Sequence, residues 1–322
     1  MLTRRTMLLG TIAAGAVVNS REGFGKAAQP STAVTFEVPA HSCDCHTHIH
    51  ADPEKFPLFA GRSYTPETAS TEEMADLHRA LGIERVVIVT PSIYGTDNSA
   101  TLFGIRARGT NARGVAVIDD KTPESDLDSM HQDGFRGIRV NLTHGALSDP
   151  SAAKQLFQTA LDRMKLRGWH VQIYTSLPFV PAIKELVLKS PVPVVFDHFG
   201  GAKAALGLEQ PGFFELVELL KSGKAYVKVS GAYYASTLAP DYQDLVPLAK
   251  ALIGANPDRI VWGSDWPHPN AVTPPGKKVT DVTSLRTIDD GVLLNQLAIW
   301  APDAAMRKAI LIDNPARLYG FG

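Results

Sequence analysis

Short hydrophobic runs recur along most of the chain. Eight of them have the length and composition of strands: 42–47, 85–90, 113–118, 135–141, 170–175, 192–197, 225–230 and 259–263. Several are apolar at consecutive positions instead of alternating, as in 86–89, which is typical of strands buried on both faces. The pattern therefore predicts eight parallel strands.

Segments with helical spacing of apolar residues separate these runs. They cover residues 71–81, 100–108, 124–132, 151–166, 180–188, 211–220 and 242–253, and two further segments near 292–300 and 303–312 close the chain. Eight repeats of a strand and a helix predict an α/β protein with a (β/α)8 TIM barrel, as one domain over 29–322. A doubly wound sheet is the competing fold, but its usual nucleotide-binding glycine motifs are absent from the sequence.

The first 28 residues differ in kind from the rest. Arg4 and Arg5 precede a short apolar stretch over 7–18, and small residues follow at 25–28. Twelve residues of helix rise about 18 Å, too little for a bilayer core of about 30 Å. We therefore expect a twin-arginine signal peptide over 1–28, recognised by the twin-arginine export machinery, and a mature periplasmic protein without a membrane partner.

The composition and net charge indicate which classes of binding partner to expect. Of the 322 residues, 44% are hydrophobic, and 32 Lys and Arg balance 33 Asp and Glu to a formal charge of -1. No broad basic surface follows from this balance, so we expect a small-molecule substrate and no nucleic acid. Cys43 and Cys45 lie two apart on a predicted strand, and we expect a buried pair without a disulfide.

Polar side chains end several of the predicted strands. In a TIM barrel the carboxyl ends of all strands meet at the catalytic face. The residues concerned are His46, His48, Arg139, Tyr174, Asp197, His198, Lys228 and Asp265.

Two of these positions suggest chemistry by themselves. His46 and His48 share one face of a strand, where imidazoles can bind a metal or polarise a carbonyl. Asp265 follows a buried strand, where a carboxylate needs hydrogen bonds or a cation. The structural alternatives are a capping role for Asp265, a loop role for His198, and an ion pair of Arg139 with Asp197 or Asp44.

At these positions the sequence resembles the amidohydrolase superfamily, in the branch of 2-pyrone-4,6-dicarboxylate hydrolase and the sugar lactonases. The matching stretches are Asp-Cys-His-Thr-His at 44–48, Gly-Ile-Arg-Val-Asn at 137–141, Phe-Asp-His at 196–198, Trp-Gly-Ser-Asp-Trp-Pro-His-Pro at 262–269 and Asn-Pro-Ala-Arg-Leu-Tyr-Gly at 314–320.

The resemblance implies that Asp265 is the general base for water and that His46, His48 and His198 polarise the scissile carbonyl. It also implies a set of residues that line the substrate pocket: Tyr64, Ser92, Thr96, Arg139, Tyr174 and His268. Function is then expected to be the hydrolytic opening of a lactone or cyclic ester. The alternatives are a metal-dependent decarboxylase of the same family and a non-catalytic periplasmic binding protein.

The sequence departs from the resembled family in two ways. Arg139 and Tyr174 stand where the metal-rich members supply a bridging ligand and a histidine, so a binuclear centre is not expected. No obligatory metal is favoured, and one divalent ion such as zinc on His46, His48 and Asp265 is the alternative. Further arginines are missing after Arg139 and Lys228, so we expect a substrate with one carboxylate or none.

Overall fold

Eight parallel strands form one sheet, each paired with the next along the chain. They are β1 (Cys43–Thr47), β2 (Arg85–Val89), β3 (Ala112–Ala116), β4 (Phe135–Asn141), β5 (His170–Tyr174), β6 (Val194–Phe196), β7 (Ala225–Val229) and β8 (Ile260–Trp262). A parallel bridge between Thr47 and Trp266 joins the segment that follows β8 to the end of β1. Each predicted run overlaps one strand, and the predicted (β/α)8 barrel is confirmed.

Helices follow the strands, and most of them cover the outside of the barrel. They are α1 (Thr71–Leu81), α2 (Ser99–Arg108), α3 (Glu124–Gln132), α4 (Pro150–Met164), α5 (Val180–Leu188), α6 (Phe213–Lys221), α7 (Ala232–Ala235), α8 (Val246–Ala255), α9 (Asp290–Trp300), α10 (Ala304–Lys308) and α11 (Asn314–Tyr319). The sequence did not predict α7 or α11. The helix predicted over 303–312 is divided, because a π-helical turn over Ala309–Asp313 follows α10.

The computed structural model describes residues 27–143 and 149–322. The predicted signal peptide over 1–28 lies outside the described residues except for Ala27 and Ala28. None of the helices in the described ranges is long and apolar enough to cross a membrane.

The strands carry apolar side chains on both faces. Val86 and Ile88 of β2 pack in the large core beneath the helices, while Val87 and Val89 belong to a second cluster with Cys43 and Cys45. That cluster also contains the side chains of Tyr319 and Phe321. Because side chains alternate along a strand, the second cluster fills the barrel interior, and both cysteines are buried and free.

Candidate active site

Three histidines surround one carboxylate at the carboxyl end of the barrel. His46 and His48 lie at the end of β1, His198 follows β6, and Asp265 follows β8. Asp265 Oδ1 is 3.5 Å from Nε2 of His46, 3.5 Å from Nε2 of His48 and 3.9 Å from Nε2 of His198. All four side chains are buried. The structure thus brings together the four residues predicted for catalysis.

Backbone hydrogen bonds between the ends of β1 and β8 position Asp265. Its N–H donates to the carbonyl of His46 at 2.8 Å, and the N–H of His48 donates to the carbonyl of Trp266 at 2.8 Å. Asp265 adopts a φ of +68°, in the left-handed region. A Cβ on Gly263 would lie 2.7 Å from the Cβ of His46, so only glycine permits this close approach.

A second buried carboxylate, Asp44, ties the same two strand ends together. Its Oδ1 accepts from the N–H of His46 at 3.1 Å and from the N–H of Ser264 at 3.0 Å. Its Oδ2 accepts from the Ser264 hydroxyl at 2.5 Å and lies 3.3 Å from His78 Nε2. These contacts satisfy a buried charge and hold the backbone on either side of the cluster.

A network of buried charges lies beside His46. Asp197 Oδ2 accepts from Arg139 Nε at 3.0 Å and from Gln172 Nε2 at 3.1 Å. Lys228 Nζ lies 3.7 Å from Asp197 Oδ1 and donates to Gln172 Oε1 at 2.6 Å. Asp197 Oδ1 is 3.2 Å from His46 Nδ1. The ion pair of Arg139 with Asp197, which the sequence left open, is therefore present.

Burial and neighbouring groups together lower the pKa values of both Asp265 and His46. Burial by itself raises the pKa of Asp265, but His198, His46 and His48 outweigh it and bring the pKa below its ordinary value. Burial lowers the pKa of His46, and the positive charge of Lys228 lowers it further. Asp265 is therefore an ionised carboxylate that can accept a proton.

The tautomer of His48 follows from its partner. His48 Nδ1 lies 2.7 Å from the carbonyl oxygen of Val89, which can only accept, so Nδ1 carries the proton. In the neutral imidazole, Nε2 then presents a lone pair toward Asp265. His46 Nε2 is buried without a hydrogen-bond partner and faces the same carboxylate.

These atoms form a donor set for a cation. One nitrogen each of His46 and His48 and one oxygen of Asp265 lie within 4.8 Å of one another, and His46, Asp197 and His198 form an overlapping set. Imidazole nitrogen and carboxylate oxygen are ordinary ligands of divalent zinc. The unpartnered Nε2 of His46 is the observation that fits a bound ion.

A cleft of about 360 Å³ opens above Asp265. His48 and His198 line it together with four of the residues predicted for the substrate pocket: Tyr64, Ser92, Arg139 and Tyr174. Burial raises the pKa of Tyr64 to about 12, so its phenol is protonated near neutral pH and can donate a hydrogen bond.

The structure does not place the other two predicted pocket residues, Thr96 and His268, on the wall of this cleft. Thr96 is exposed, and its carbonyl accepts a hydrogen bond from Asn98. His268 is fully buried, and its Nε2 lies 2.9 Å from Asp290 Oδ2. The φ of His268 is +62°, and its side chain is engaged by this buried carboxylate at the start of α9.

The cleft also contains residues that the sequence did not indicate. Tyr233 donates a hydrogen bond to Asp265 Oδ2, and Tyr234 and Arg286 line the wall. The two tyrosines follow β7 closely, so the rule of strand ends could have found them. Arg286 lies far beyond β8, and no local pattern marks it.

Comparison with known proteins identifies the family of the chain. The sequence profile of the Amidohydrolase family matches residues 43–321. The chain belongs to the amidohydrolase family. It is 36% identical to a 4-sulfomuconolactone hydrolase of Hydrogenophaga intermedia, over 88% of this chain and 90% of that protein.

Two further proteins resemble this amidohydrolase. A 2-pyrone-4,6-dicarboxylate hydrolase of Comamonas testosteroni is 31% identical, over 88% of this chain and 92% of that one. A crystal structure of an Agrobacterium tumefaciens protein superposes with a TM-score of 0.76 at 25% identity, covering 91% of this chain and 98% of that one.

Proposed function

We propose that this amidohydrolase opens a lactone ring by hydrolysis. The observation that carries the proposal is the ionised carboxylate of Asp265, held among three imidazoles at the floor of a cleft. The names of the relatives, hydrolases of 4-sulfomuconolactone and of 2-pyrone-4,6-dicarboxylate, support a lactone as the substrate class.

Asp265 acts as the general base. Its Oδ1 takes a proton from water while the water oxygen bonds to the lactone carbonyl carbon. Tyr233, by donating to Oδ2, fixes the orientation of the carboxylate. The ring C–O bond then breaks, and the departing ring oxygen receives the proton that Asp265 took up. The product is the open-chain hydroxy acid or its keto tautomer.

His198 faces the developing negative charge. Its Nδ1 lies 3.0 Å from the hydroxyl of Ser230, and in the tautomer in which that hydroxyl donates, the imidazole proton is on Nε2. His198 lines the cleft, so Nε2–H can donate to the carbonyl oxygen as it becomes an oxyanion.

We further propose that His46, His48 and Asp265 hold one divalent cation. The lone pair of His48 Nε2 and the unpartnered Nε2 of His46 support this choice over the metal-free arrangement that the sequence favoured. Such an ion, when bound, polarises a carbonyl oxygen and makes a bound water more acidic.

Turnover of a lactone panel tests the proposed function. We expect hydrolysis of at least one acidic five- or six-membered lactone. The rate is measured as the acid released at constant pH. Asp265→Asn should lower kcat by about 100-fold or more while the circular dichroism spectrum is unchanged. Asp162→Asn, an exposed helical position, is the matched control. Wild-type rates in the Asp265→Asn variant would refute the mechanism.

Export remains a proposal that the sequence alone supports. We propose that Arg4 and Arg5 direct the precursor to the twin-arginine machinery and that the mature protein is periplasmic. Replacement of both arginines by lysine should leave the protein in the cytoplasmic fraction of the expressing bacterium. Unchanged recovery from the periplasm would contradict this.

A further inference from the structure

A second cavity, of about 690 Å³, lies outside the cleft above Asp265. Its wall is made by the segment 49–56 that follows β1, by residues at the start of α1, and by Phe103 of α2. Among the described residues, none lines both this cavity and the cleft. His48 lines the cleft, whereas His50, two residues later, lines the second cavity. The segment that follows β1 therefore borders both spaces.

His50 is a buried polar side chain without a hydrogen-bond partner. Its backbone is fixed by Ala69, because each N–H donates to the carbonyl of the other residue, at 3.1 and 2.7 Å. The side chain is 2% exposed, and among the described residues neither ring nitrogen has a partner. Burial lowers the pKa of His50 to about 3, so the neutral ring has one N–H and one lone pair to satisfy. A ligand that hydrogen-bonds the ring would recover the free energy of these unpaired atoms.

Two phenylalanines give the cavity an aromatic wall. The ring centres of Phe56 and Phe103 are 5.4 Å apart, and the ring planes are tilted by 41°. Ile49 and Pro53 extend this apolar surface. Phe103 is 45% exposed, so part of the wall faces water in the free protein. Covering it with the ring of a ligand is favourable through burial of apolar surface and through contact between aromatic rings.

The charges of the cavity favour a positively charged ligand. Asp52, Glu54 and Glu72 contribute carboxylates, and Lys55 is the one cation among the described lining residues. Lys55 Nζ lies 4.0 Å from Asp52 Oδ2. In the part of the chain that the structure describes, no cation lies within ion-pair distance of Glu54 or Glu72. Three carboxylates against one ammonium leave the wall of the cavity negative.

Two other classes of ligand fit this cavity less well. The start of α1 could attract an anion, but a capping box already occupies it: the N–H of Glu73 donates to Ser70 Oγ at 3.2 Å, and the N–H of Ser70 donates to Glu73 Oε2 at 2.8 Å. A metal ion needs several converging donor atoms, and within residues 27–143 and 149–322 the groups of three such donors both contain His46. The remaining class is an organic cation.

We propose that this cavity binds a small organic cation in which an aromatic ring carries an ammonium group. The ring packs against Phe56 and Phe103, and the ammonium group is attracted by Glu54 and Glu72. A hydroxyl on the ring both donates and accepts, which matches the neutral imidazole of His50. The site is separate from the proposed lactone hydrolysis and does not depend on it.

Titration of the full chain, followed by NMR of the ligand, tests the class of ligand. The probe is 4-(2-aminoethyl)phenol, and 4-(2-hydroxyethyl)phenol is its neutral counterpart with the same ring and chain length. We expect the amine to bind with a Kd of about 1 mM or tighter. The neutral alcohol should bind about tenfold more weakly, because it lacks the charge.

Substitutions in the wall locate the bound amine. Phe103→Ala should weaken its binding about tenfold, whereas Phe214→Ala, at an exposed position of α6, should not. In the double variant Glu54→Gln/Glu72→Gln, the amine and the alcohol should bind within about threefold of each other. Glu209→Gln, exposed and outside the cavity, should keep the wild-type preference. Thermal melts show that each variant is folded, and Phe103→Leu serves if Phe103→Ala is not.

The role of His50 has its own comparison, with 2-phenylethylamine as the probe that lacks the hydroxyl. The wild type should bind the phenol at least about threefold more tightly than this amine. His50→Phe keeps the shape of the ring and removes both nitrogens, so the two amines should then bind equally. His41→Phe, at an exposed histidine before β1, should keep the difference. His50→Leu serves if His50→Phe does not fold.

The outcomes decide the proposal. Binding of the amine that is weakened by Phe103→Ala and loses its charge preference in the double glutamine variant supports it. Absence of binding up to about 10 mM, or equal affinities of the wild type for the amine and the alcohol, overturns it. Binding that these variants leave unchanged and that Asp265→Asn removes would assign the amine to the cleft, and this result also overturns the proposal.

Discussion

Asp44 binds Ser264 through two hydrogen bonds, one from the backbone N–H at 3.0 Å and one from the hydroxyl at 2.5 Å. Asp44 precedes His46 on β1, and Ser264 precedes Asp265. The pair therefore joins the chain segment that carries Asp265 to the one that carries His46 and His48, although neither side chain of the pair lines the cleft.

Removal of the Ser264 hydroxyl should disturb both stability and catalysis. In Ser264→Ala, Asp44 is fully buried and accepts one hydrogen bond fewer. The loss should lower the free energy of unfolding by about 1 to 3 kcal/mol. Denaturant unfolding measures this loss. Because Asp265 would be less firmly placed, kcat should fall while KM changes little.

Ser125→Ala is a suitable control. Ser125 is exposed, and its hydroxyl bonds Asp126, which lies outside the cluster around Asp265. Equal kcat values for Ser264→Ala and the wild type would show that the Asp44 contact does not position the base.

Metal content should be one divalent ion per chain. Protein purified, stripped with chelator and titrated with zinc alone should bind about one equivalent, because the two possible donor sets overlap at His46. His48→Ala should abolish this binding, whereas His131→Ala, an exposed histidine outside the cluster, should not.

Lactone turnover by the stripped protein provides a separate readout. Full activity without any bound ion would contradict the proposed cation and favour the metal-free arrangement in which imidazoles alone polarise the carbonyl.

Arg139 should matter for both folding and substrate binding. Arg139→Ala leaves Asp197 buried with Lys228 and Gln172 as its remaining partners, and breaking a buried pair costs about 3 to 5 kcal/mol. We expect a lower melting temperature and a KM raised about tenfold or more for an acidic lactone. A stability loss with an unchanged KM would limit Arg139 to a structural role.

Asp289 should make stability depend on acid pH. It accepts hydrogen bonds from Ser31 and Thr32 and caps α9 through the N–H of Gly291. Burial raises the pKa of Asp289, but the hydrogen bonds from Ser31 and Thr32 outweigh it and bring the pKa to about 2.

Because the folded pKa lies below the unfolded value of about 3.9, the ionised carboxylate stabilises the fold above that pH. This contribution is lost as the pH falls from about 4 to about 2. Asp289→Asn should therefore melt below the wild type at pH 7, and the difference should shrink across that interval. A difference that is constant with pH would show that Asp289 acts only through its neutral hydrogen bonds.

The sequence by itself determined the barrel and the position of the candidate catalytic cluster. Runs such as 86–89 are apolar on both faces, and only a covered parallel sheet buries both. Once the strands are parallel, their carboxyl ends must meet, so His46, His198 and Asp265 come together although they are far apart in the chain. The prediction needed only strand order and side-chain alternation.

Only the tertiary structure decided which other residues reach the cleft. His268 lies three residues beyond Asp265, yet a left-handed backbone and the carboxylate of Asp290 hold it in the core. Arg286, far along the same connection, is brought back to the cleft by the bridge between Pro269 and Leu285. The path of a long loop depends on contacts between residues that are distant in the sequence. The local pattern of hydrophobic and polar positions does not predict these contacts.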